Sequence, residues 1–391
     1  MTTHVFIVDS RTFKIHLEYL FVGTGARENL IDFNNSETTQ LHHKTEETLA
    51  GLMADASRIR RGDQILFYLQ QDARYNGKFF GVFKAIRDWS FLDNFEESGR
   101  NQYLYNELGK SLTFRTLIEP FEVFAEGITE WEALDDINNT ERPYQMAWSL
   151  IYRKLKGNRG NTMLTIYEAE KLIELIKFKN NQQYLDFNNR KLSFDINEQK
   201  IVSLDGNLNI YAGRNEDINV LPRLIAKYNA GQAFEPLLQA YILKAIGTNI
   251  NSTLNNSIVP EGSIIEWIGN EVSCGVGMQS IDVMLSVFLA SSNSRIVIPV
   301  ELKATLASIE NLRQIQRYVD WIKQYYITNL NSVICPILLA KENLNKESAS
   351  YIEMINAFNV FNISNIDVCD PLIYIEYSVD NQNLFFEKVI Y

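Results

Sequence analysis

Histidine is confined to the first 43 residues of this 391-residue chain, at His4, His16, His42 and His43. Any chemistry in the C-terminal half must therefore run without an imidazole. Cysteine is scarce as well. Cys274, Cys335 and Cys369 are far apart, odd in number and include no CxxC pair, so neither a disulfide framework nor a zinc knuckle is supported. No apolar run reaches membrane-spanning length. The opening stretch MTTHVFIVDSRTFKIH is broken by polar and charged residues, so no secretory leader is expected, and the chain reads as soluble and cytoplasmic. It has no internal repeat and no low-complexity tail.

Apolar residues make up 46% of the chain, aromatics 12% and charged residues 22%, a globular composition with ample material for buried cores. The length suggests two or three domains. The net charge of −11 argues at face value against a generic nucleic-acid binder. By segment the charge is uneven. Residues 1–135 hold 14 basic and 21 acidic side chains, residues 136–230 hold 14 and 11, and residues 231–391 hold 9 and 16. A basic middle, from Arg142 to Lys227, lies between two acidic ends.

The segment 1–135 reads mostly as short strands. Gln64–Leu69 and Lys78–Phe83 flank a loop with Asn76-Gly77, which predicts a hairpin; Thr113–Ile118 and Phe121–Phe124 add strands, and a short helix follows Ile128. Few helices among several strands suggest a small barrel. In 136–230 a helix is expected from Thr165, with Ile166, Leu172, Ile173 and Ile176 on one face, followed by a polar, Asn-rich loop over Lys179–Asn189. From Gln232 the pattern becomes α/β. A helix carries Leu237, Leu238, Tyr241, Ile242 and Ala245 up to a stop at Gly247. Strands are expected at Ser263–Ile268, Ile281–Ala290 and Ile296–Lys303, then an amphipathic helix over Leu306–Tyr326 and a strand at Ser332–Leu339. A helix near Glu347–Phe358 and a strand pair around Leu372–Ser378 and Leu384–Ile390 complete the series.

One stretch carries chemistry. Asp282 opens a predicted strand and Glu301 ends the next, 301 − 282 = 19 residues later, a spacing that brings both carboxylates to one end of a hairpin. Glu301 and Lys303 are two apart and project from the same face of a strand, while Val300 and Leu302 point into apolar packing. Charges next to a buried sheet are costly unless compensated, and a hard divalent cation relieves the repulsion of paired carboxylates. Mg²⁺ held by Asp282 and Glu301 would activate water and stabilise a phosphate under in-line displacement, with Lys303 orienting the water or stabilising developing charge. The plain alternative is a structural ion pair between Glu301 and Lys303 at a strand end.

Asp, about twenty residues, then Glu-x-Lys closing an apolar strand resembles the PD-(D/E)XK nuclease superfamily, over roughly residues 232–340. Glu235, on the preceding helix, is similar to an additional acidic group of that metal site. Gln314 and Tyr318 resemble the QxxxY pattern of the RecB-like and NucS-like branches, and on a helix the two lie one turn apart on one face. Ile281 stands where the name-giving proline would. The resemblance implies a restriction-endonuclease-like α/β domain in 231–391, a mixed sheet flanked by helices. It also implies Asp282, Glu301, Lys303, Glu235 and Gln314 as catalytic residues, Mg²⁺ at Asp282 and Glu301, and Mn²⁺ as a substitute metal.

Arg61-Gly62-Asp63 before QILFYL, then GKFFGVF and LTFRTLIEPFEVF, resembles the PUA-like group that includes EVE, YTH and ASCH domains, with Gly62, Asp63, Phe67, Tyr68, Gly81 and Arg115 in the pattern positions. That resemblance implies a β-barrel that binds nucleic acid, in several members by extruding a base into an aromatic pocket. Tyr68 and Trp89 are the candidate pocket walls; their alternative role is barrel packing. Arg153, Lys154, Lys156 and Arg159, with Asn158 and two glycines nearby, form a basic run suited to phosphates, or a solvated surface. Arg313, Arg317 and Tyr318 are parallel candidates for DNA contact on the later helix.

These readings converge on a Mg²⁺-dependent endonuclease of restriction type acting on double-stranded DNA, with 1–135 selecting a sequence or modified base, 136–230 adding basic DNA contacts and 231–391 cutting. The alternatives are a NucS-like enzyme for mismatched or branched DNA and a non-catalytic PUA-type nucleic-acid-binding protein. Cutting both strands commonly takes two sites, so a homodimer is expected.

Overall fold

The computed structural model describes residues 1–25, 43–93, 102–135, 160–274, 279–327 and 331–391. It divides into two compact units, one from Met1–Asp32 with Asp55–Ile218 and the other from Phe33–Ala54 with Asn219–Tyr391. Each mixes helices with a mixed sheet, so the chain is α/β.

The first unit carries strands β1 (Thr3–Val8), β2 (Phe21–Thr24), β3 (Gln64–Leu69), β4 (Lys78–Ala85), β5 (Phe91–Leu92), β6 (Phe114–Pro120), β7 (Ile128–Thr129), β8 (Asn161–Leu164), β9 (Lys191–Asp195), β10 (Lys200–Leu204) and β11 (Glu216–Asp217). Nine of them form one sheet along the path β11-β5-β6-β4-β3-β1-β8, with β2 on β6 and β7 on β4; β9 and β10 pair as a separate hairpin. β1 runs parallel to β3, and β3 antiparallel to β4 as the Asn76-Gly77 loop predicts. Among the described residues β8 and β11 leave the path open, where a small barrel was expected. Phe121–Phe124 is not a strand.

Strand alternation explains why this sheet is covered on both faces. Ile65, Phe67 and Leu69 pack with Phe13 and Leu17 of the Ser10–Tyr19 helix and with Leu192, Phe194 and Ile201 of the β9–β10 hairpin. Leu66 and Tyr68 face the other way, against Leu172, Ile173 and Ile176 of the Ile166–Lys179 helix. That helix starts at Thr165, whose side chain accepts from the Glu168 N–H while Glu168 reaches back to the Thr165 N–H at 2.8 Å, a capping box. Both elements belong to the core of the first unit, so the segment 136–230 is not a domain of its own.

The second unit has β12 (Ser263–Ser273), β13 (Ser280–Leu289), β14 (Ser294–Lys303), β15 (Ser332–Ile334), β16 (Ile337–Lys341), β17 (Ile373–Asp380) and β18 (Asn383–Lys388). The sheet order is β12-β13-β14-β16-β17-β18, with β15 beside β14. β12, β13 and β14 are an antiparallel meander, β14, β16 and β17 run parallel, and β18 returns antiparallel. The strand expected over Ser332–Leu339 is two strands, because Pro336 has no N–H for a ladder. The Glu235–Ala245 helix is apolar around nearly its whole circumference and buried, as a helix enclosed by its unit must be; Pro236 occupies its first turn, where no N–H is needed. The Ile309–Trp321 helix is amphipathic and ends in a single wide turn over Ile322–Tyr326.

Candidate active site

The β13–β14 ladder stops at Val283↔Val300, and past that pair the polar residues gather. The N–H of Leu302 donates to Asp282 Oδ2 at 2.8 Å, a side chain taking the amide where the backbone pairing ends. Glu301, between the two apolar neighbours Val300 and Leu302, is only 1% exposed. Its Oε1 lies 2.8 Å from Lys303 Nζ but without aligned hydrogen-bond geometry, so this buried oxygen has no hydrogen bond. Lys303 Nζ also reaches Glu235 Oε2 at 3.2 Å. Glu301, on the same strand face, and Glu235, the first residue of a helix, therefore share the Lys303 ammonium.

Tyr318, from the Ile309–Trp321 helix, completes the cluster. Its hydroxyl lies 2.6 Å from Glu301 Oε2 and 2.9 Å from the Ser280 carbonyl oxygen, so one proton is shared between two acceptors. Gln239, one turn into the Glu235–Ala245 helix, donates to the Asp282 carbonyl at 2.7 Å and to Glu271 Oε1 at 3.1 Å, and Ser280 Oγ donates to Glu271 Oε2 at 2.7 Å. Two carboxylates, Glu301 and Glu235, thus pair with Lys303, while Asp282 and Glu271 are held by neighbouring amide and hydroxyl donors.

The electrostatics follow from this crowding. Burial, reinforced by repulsion from Glu301, raises the Asp282 pKa well above the usual carboxylate range, against the Leu302 amide that lowers it. Burial also raises Glu235, partly offset by Lys303. Burial alone would lower Lys303, but Glu301 first and Glu235 and Asp282 after it raise the ammonium above its usual value. Lys303 is therefore a cation and hydrogen-bond donor at neutral pH, not a proton acceptor. Burial, with Glu301 and Asp282 nearby, pushes the Tyr318 phenol strongly up, so it stays protonated.

The donor set fits a hard cation. Asp282 and Glu301 offer oxygens only, one of them buried without a hydrogen bond, and their mutual repulsion is what such an ion relieves. Among the described residues no group of three or more His, Cys, Asp and Glu side chains is gathered to hold a metal ion. A site for Mg²⁺ does not need such a cage, since that ion is held by one or two carboxylates together with waters and substrate phosphates.

Of the residues singled out in the sequence, Asp282, Glu301, Lys303, Glu235 and Tyr318 come together. Gln314 is half-buried one turn before Tyr318, and no hydrogen bond joins it to the carboxylates among the described residues. Arg313 and Arg317 are on the exposed face of their helix, with Arg313 paired to Glu310 at 2.9 Å. Tyr318 is 3% exposed; it belongs to the carboxylate cluster and is not a surface contact for DNA, because its helix turns this face to the sheet. Arg153, Lys154, Lys156, Asn158 and Arg159 lie outside the described residues. Glu271 and Gln239 were not anticipated. No local signal in the strand Ser263–Ser273 separates Glu271 from Glu266, since both interrupt its apolar residues.

In the first unit the pattern residues serve the fold. Asp63 accepts from the Thr2 and Arg60 amides and pairs with His4, each at 2.9 Å. Arg115 is fully buried, pairing with Asp93 at 3.1 Å and donating to the carbonyls of Leu112 and Tyr103. Tyr68 is 3% exposed, packed on Phe79 with its hydroxyl on Glu130, so it is a core residue and not a pocket wall. The hairpin pleat turns it inward. Trp89 is half-buried in the turn after β4, with the Arg60 guanidinium 5.9 Å from its ring centre.

No helix among the described residues is long and apolar enough to cross a membrane. No family model matches the chain, and no curated protein matches it. Four chains of solved structures match. One is described as the structure of a hypothetical protein from Leishmania major, at 10% identity and a TM-score of 0.28, covering 46% of this chain and 96% of that one; a likeness at that score carries no argument about fold or function.

Proposed function

We propose that this protein is a metal-dependent endonuclease of restriction type that hydrolyses phosphodiester bonds in double-stranded DNA, its second unit being a PD-(D/E)XK nuclease domain. The observation that carries the reading is the convergence of Asp282, Glu301 and Lys303 at the end of the β13–β14 ladder, with Glu301 buried and ion-paired to Lys303.

Each residue has a task in this mechanism. Asp282 and Glu301 would hold Mg²⁺, or Mn²⁺ in its place, which supplies Lewis acidity toward a phosphate oxygen and a more acidic water. Lys303, kept protonated by its carboxylates, donates to the attacking water or to charge developing on the phosphate. Tyr318 fixes the carboxylate plane of Glu301. Glu235, with a side chain 44% exposed, is the acid on the solvent side and accepts a proton from water. Gln239 holds the Asp282 backbone in register. Arg313 and Arg317, on the exposed helix face, and the basic run Arg153–Arg159 supply phosphate contacts. The first unit is PUA-like and selects the DNA, by sequence or by a modified base. The enzyme acts as a homodimer, one site per strand.

The test is digestion of modified and unmodified phage DNA by the full-length chain with Mg²⁺, Mn²⁺ or EDTA, followed by sequencing of the ends. Metal-dependent double-strand cutting that is lost in Asp282→Ala and Lys303→Ala is the expected result. Cutting at the parental rate by those two variants refutes the active-site assignment. Cutting confined to mismatched or branched duplexes would replace the restriction reading by the NucS-like one.

A further inference from the structure

A cavity of about 210 Å³ opens within the second unit, beside the carboxylate cluster. Three aromatic residues line it: Phe234 and Tyr377 are 5% and 3% exposed, and the half-buried Tyr228 ring stands 6.0 Å from that of Tyr377. Three links tie it to the site. Phe234 directly precedes Glu235, the Tyr377 hydroxyl donates to the carbonyl of Ala304 at 3.3 Å, next to Lys303, and the Lys341 N–H donates to the Thr305 carbonyl at 3.0 Å. Lys341 Nζ sits 4.2 Å from the Tyr228 ring centre and makes no ion pair among the described residues. Gly231, at the mouth, is in the left-handed region with φ +69 and has nothing within 4 Å of where a side chain would start, so the entrance is open.

We propose that this cavity is a nucleotide subsite, receiving one nucleotide of the strand to be cut, with its base against Tyr228 and its phosphate at Lys341. The inference deepens the nuclease reading and rests on it. The space is below the ~300–1,000 Å³ of pockets for larger ligands and suits the base alone, so the sugar and phosphate of that nucleotide extend toward its opening. Aromatic faces bind any base through its π surface. A cation held only over a ring keeps most of its charge for an incoming anion. With Glu235 and Lys303 adjoining, a nucleotide seated here leaves its neighbouring phosphate at the carboxylates.

The test uses the full-length protein in EDTA, so that binding is read apart from cleavage. Thymidine monophosphate, thymidine, inorganic phosphate and an oligothymidylate are titrated by calorimetry, against the parent and the variants Tyr228→Leu, Tyr228→Phe and Lys341→Met. Thermal melting confirms that each variant is folded. The expected result is that the monophosphate binds the parent at least tenfold better than thymidine or phosphate. Tyr228→Leu and Lys341→Met should weaken both monophosphate and oligothymidylate by roughly five- to a hundredfold, the range one base–aromatic stack supports. Tyr228→Phe, which keeps the ring, should bind as the parent does. Absence of monophosphate binding to the parent overturns the subsite. So does oligothymidylate affinity that is the same in Tyr228→Leu and Lys341→Met as in the parent. Neither outcome touches the nuclease reading, which fails if the parent cuts no DNA with Mg²⁺ or Mn²⁺.

Discussion

Replacing Tyr318 by phenylalanine removes a single oxygen and keeps the ring, yet the surroundings make that oxygen expensive to lose. Its partner, Glu301 Oε2 at 2.6 Å, belongs to a carboxylate that is 1% exposed and whose other oxygen already has no hydrogen bond. Water cannot take over at 3% exposure of the tyrosine. A hydrogen bond to a charged group contributes about 1.5–3 kcal/mol, so Tyr318→Phe should destabilise the second unit by about 2 kcal/mol. At about 2–4 °C per kcal/mol for a unit of this size, the melting midpoint should fall by roughly 4–8 °C. Urea unfolding followed by tryptophan fluorescence is a suitable assay, with Glu301→Gln as the second arm of a double-mutant cycle. A neutral amide at position 301 has less to lose, so the cost of removing the hydroxyl should shrink by about 1 kcal/mol or more in that background. Cleavage should fall about 10–100-fold, as for other groups that orient a metal-binding carboxylate. A change in unfolding free energy within about 0.5 kcal/mol of the parent, or an undiminished cost beside Glu301→Gln, would refute this account of the cluster.

Asp282→Asn should abolish cleavage and raise the metal-free stability at neutral pH. Burial and Glu301 raise the folded-state pKa of Asp282, so its ionised form is penalised by folding. The gain should be largest above that raised pKa and vanish below the unfolded value, which melting curves between pH 4 and 8 would reveal; a gain that grows on acidification contradicts the sign. Tyr68→Phe should cost about 1 kcal/mol through its lost bond to buried Glu130 and leave DNA affinity unchanged; a tenfold loss of affinity in a binding titration restores the pocket role. Thr165→Ala, which breaks the capping box of the Ile166–Lys179 helix, should lower stability by about 1 kcal/mol, and an unchanged denaturation midpoint would contradict it.

Local patterns were legible where local physics decides. The Asn76-Gly77 turn announced the β3–β4 hairpin, the helical spacing of Leu237, Leu238, Tyr241, Ile242 and Ala245 announced a helix, and the two-residue spacing put Glu301 and Lys303 on one face. The Ser10–Tyr19 helix went unnoticed because its start signal is the single Asp9–Thr12 cap and its apolar residues are few. Pro336 splits a strand that hydropathy alone draws as continuous. Glu271 and Gln239 join the site through contacts 32 and 43 residues apart in the chain, which no spacing rule reaches. Tyr318 was legible as part of a pattern but not as buried, because the face a helix presents depends on what it packs against. The open path of the first sheet was likewise invisible, since strand composition does not say which edges meet.

The amide of Leu302, bonded to the Asp282 carboxylate where the ladder ends, has a consequence for observation. Amides inside the β13–β14 pairing should exchange their hydrogens only on large-scale opening of the unit, whereas this one is released whenever the Asp282 side chain turns away. Its exchange rate is therefore a clock for a side-chain event, read on the backbone. Whatever alters the charge or rotamer of Asp282 should change protection at Leu302 while Ile298, inside the ladder opposite Leu285, keeps its slow rate. The end of a sheet thereby becomes a reporter on its own chemistry.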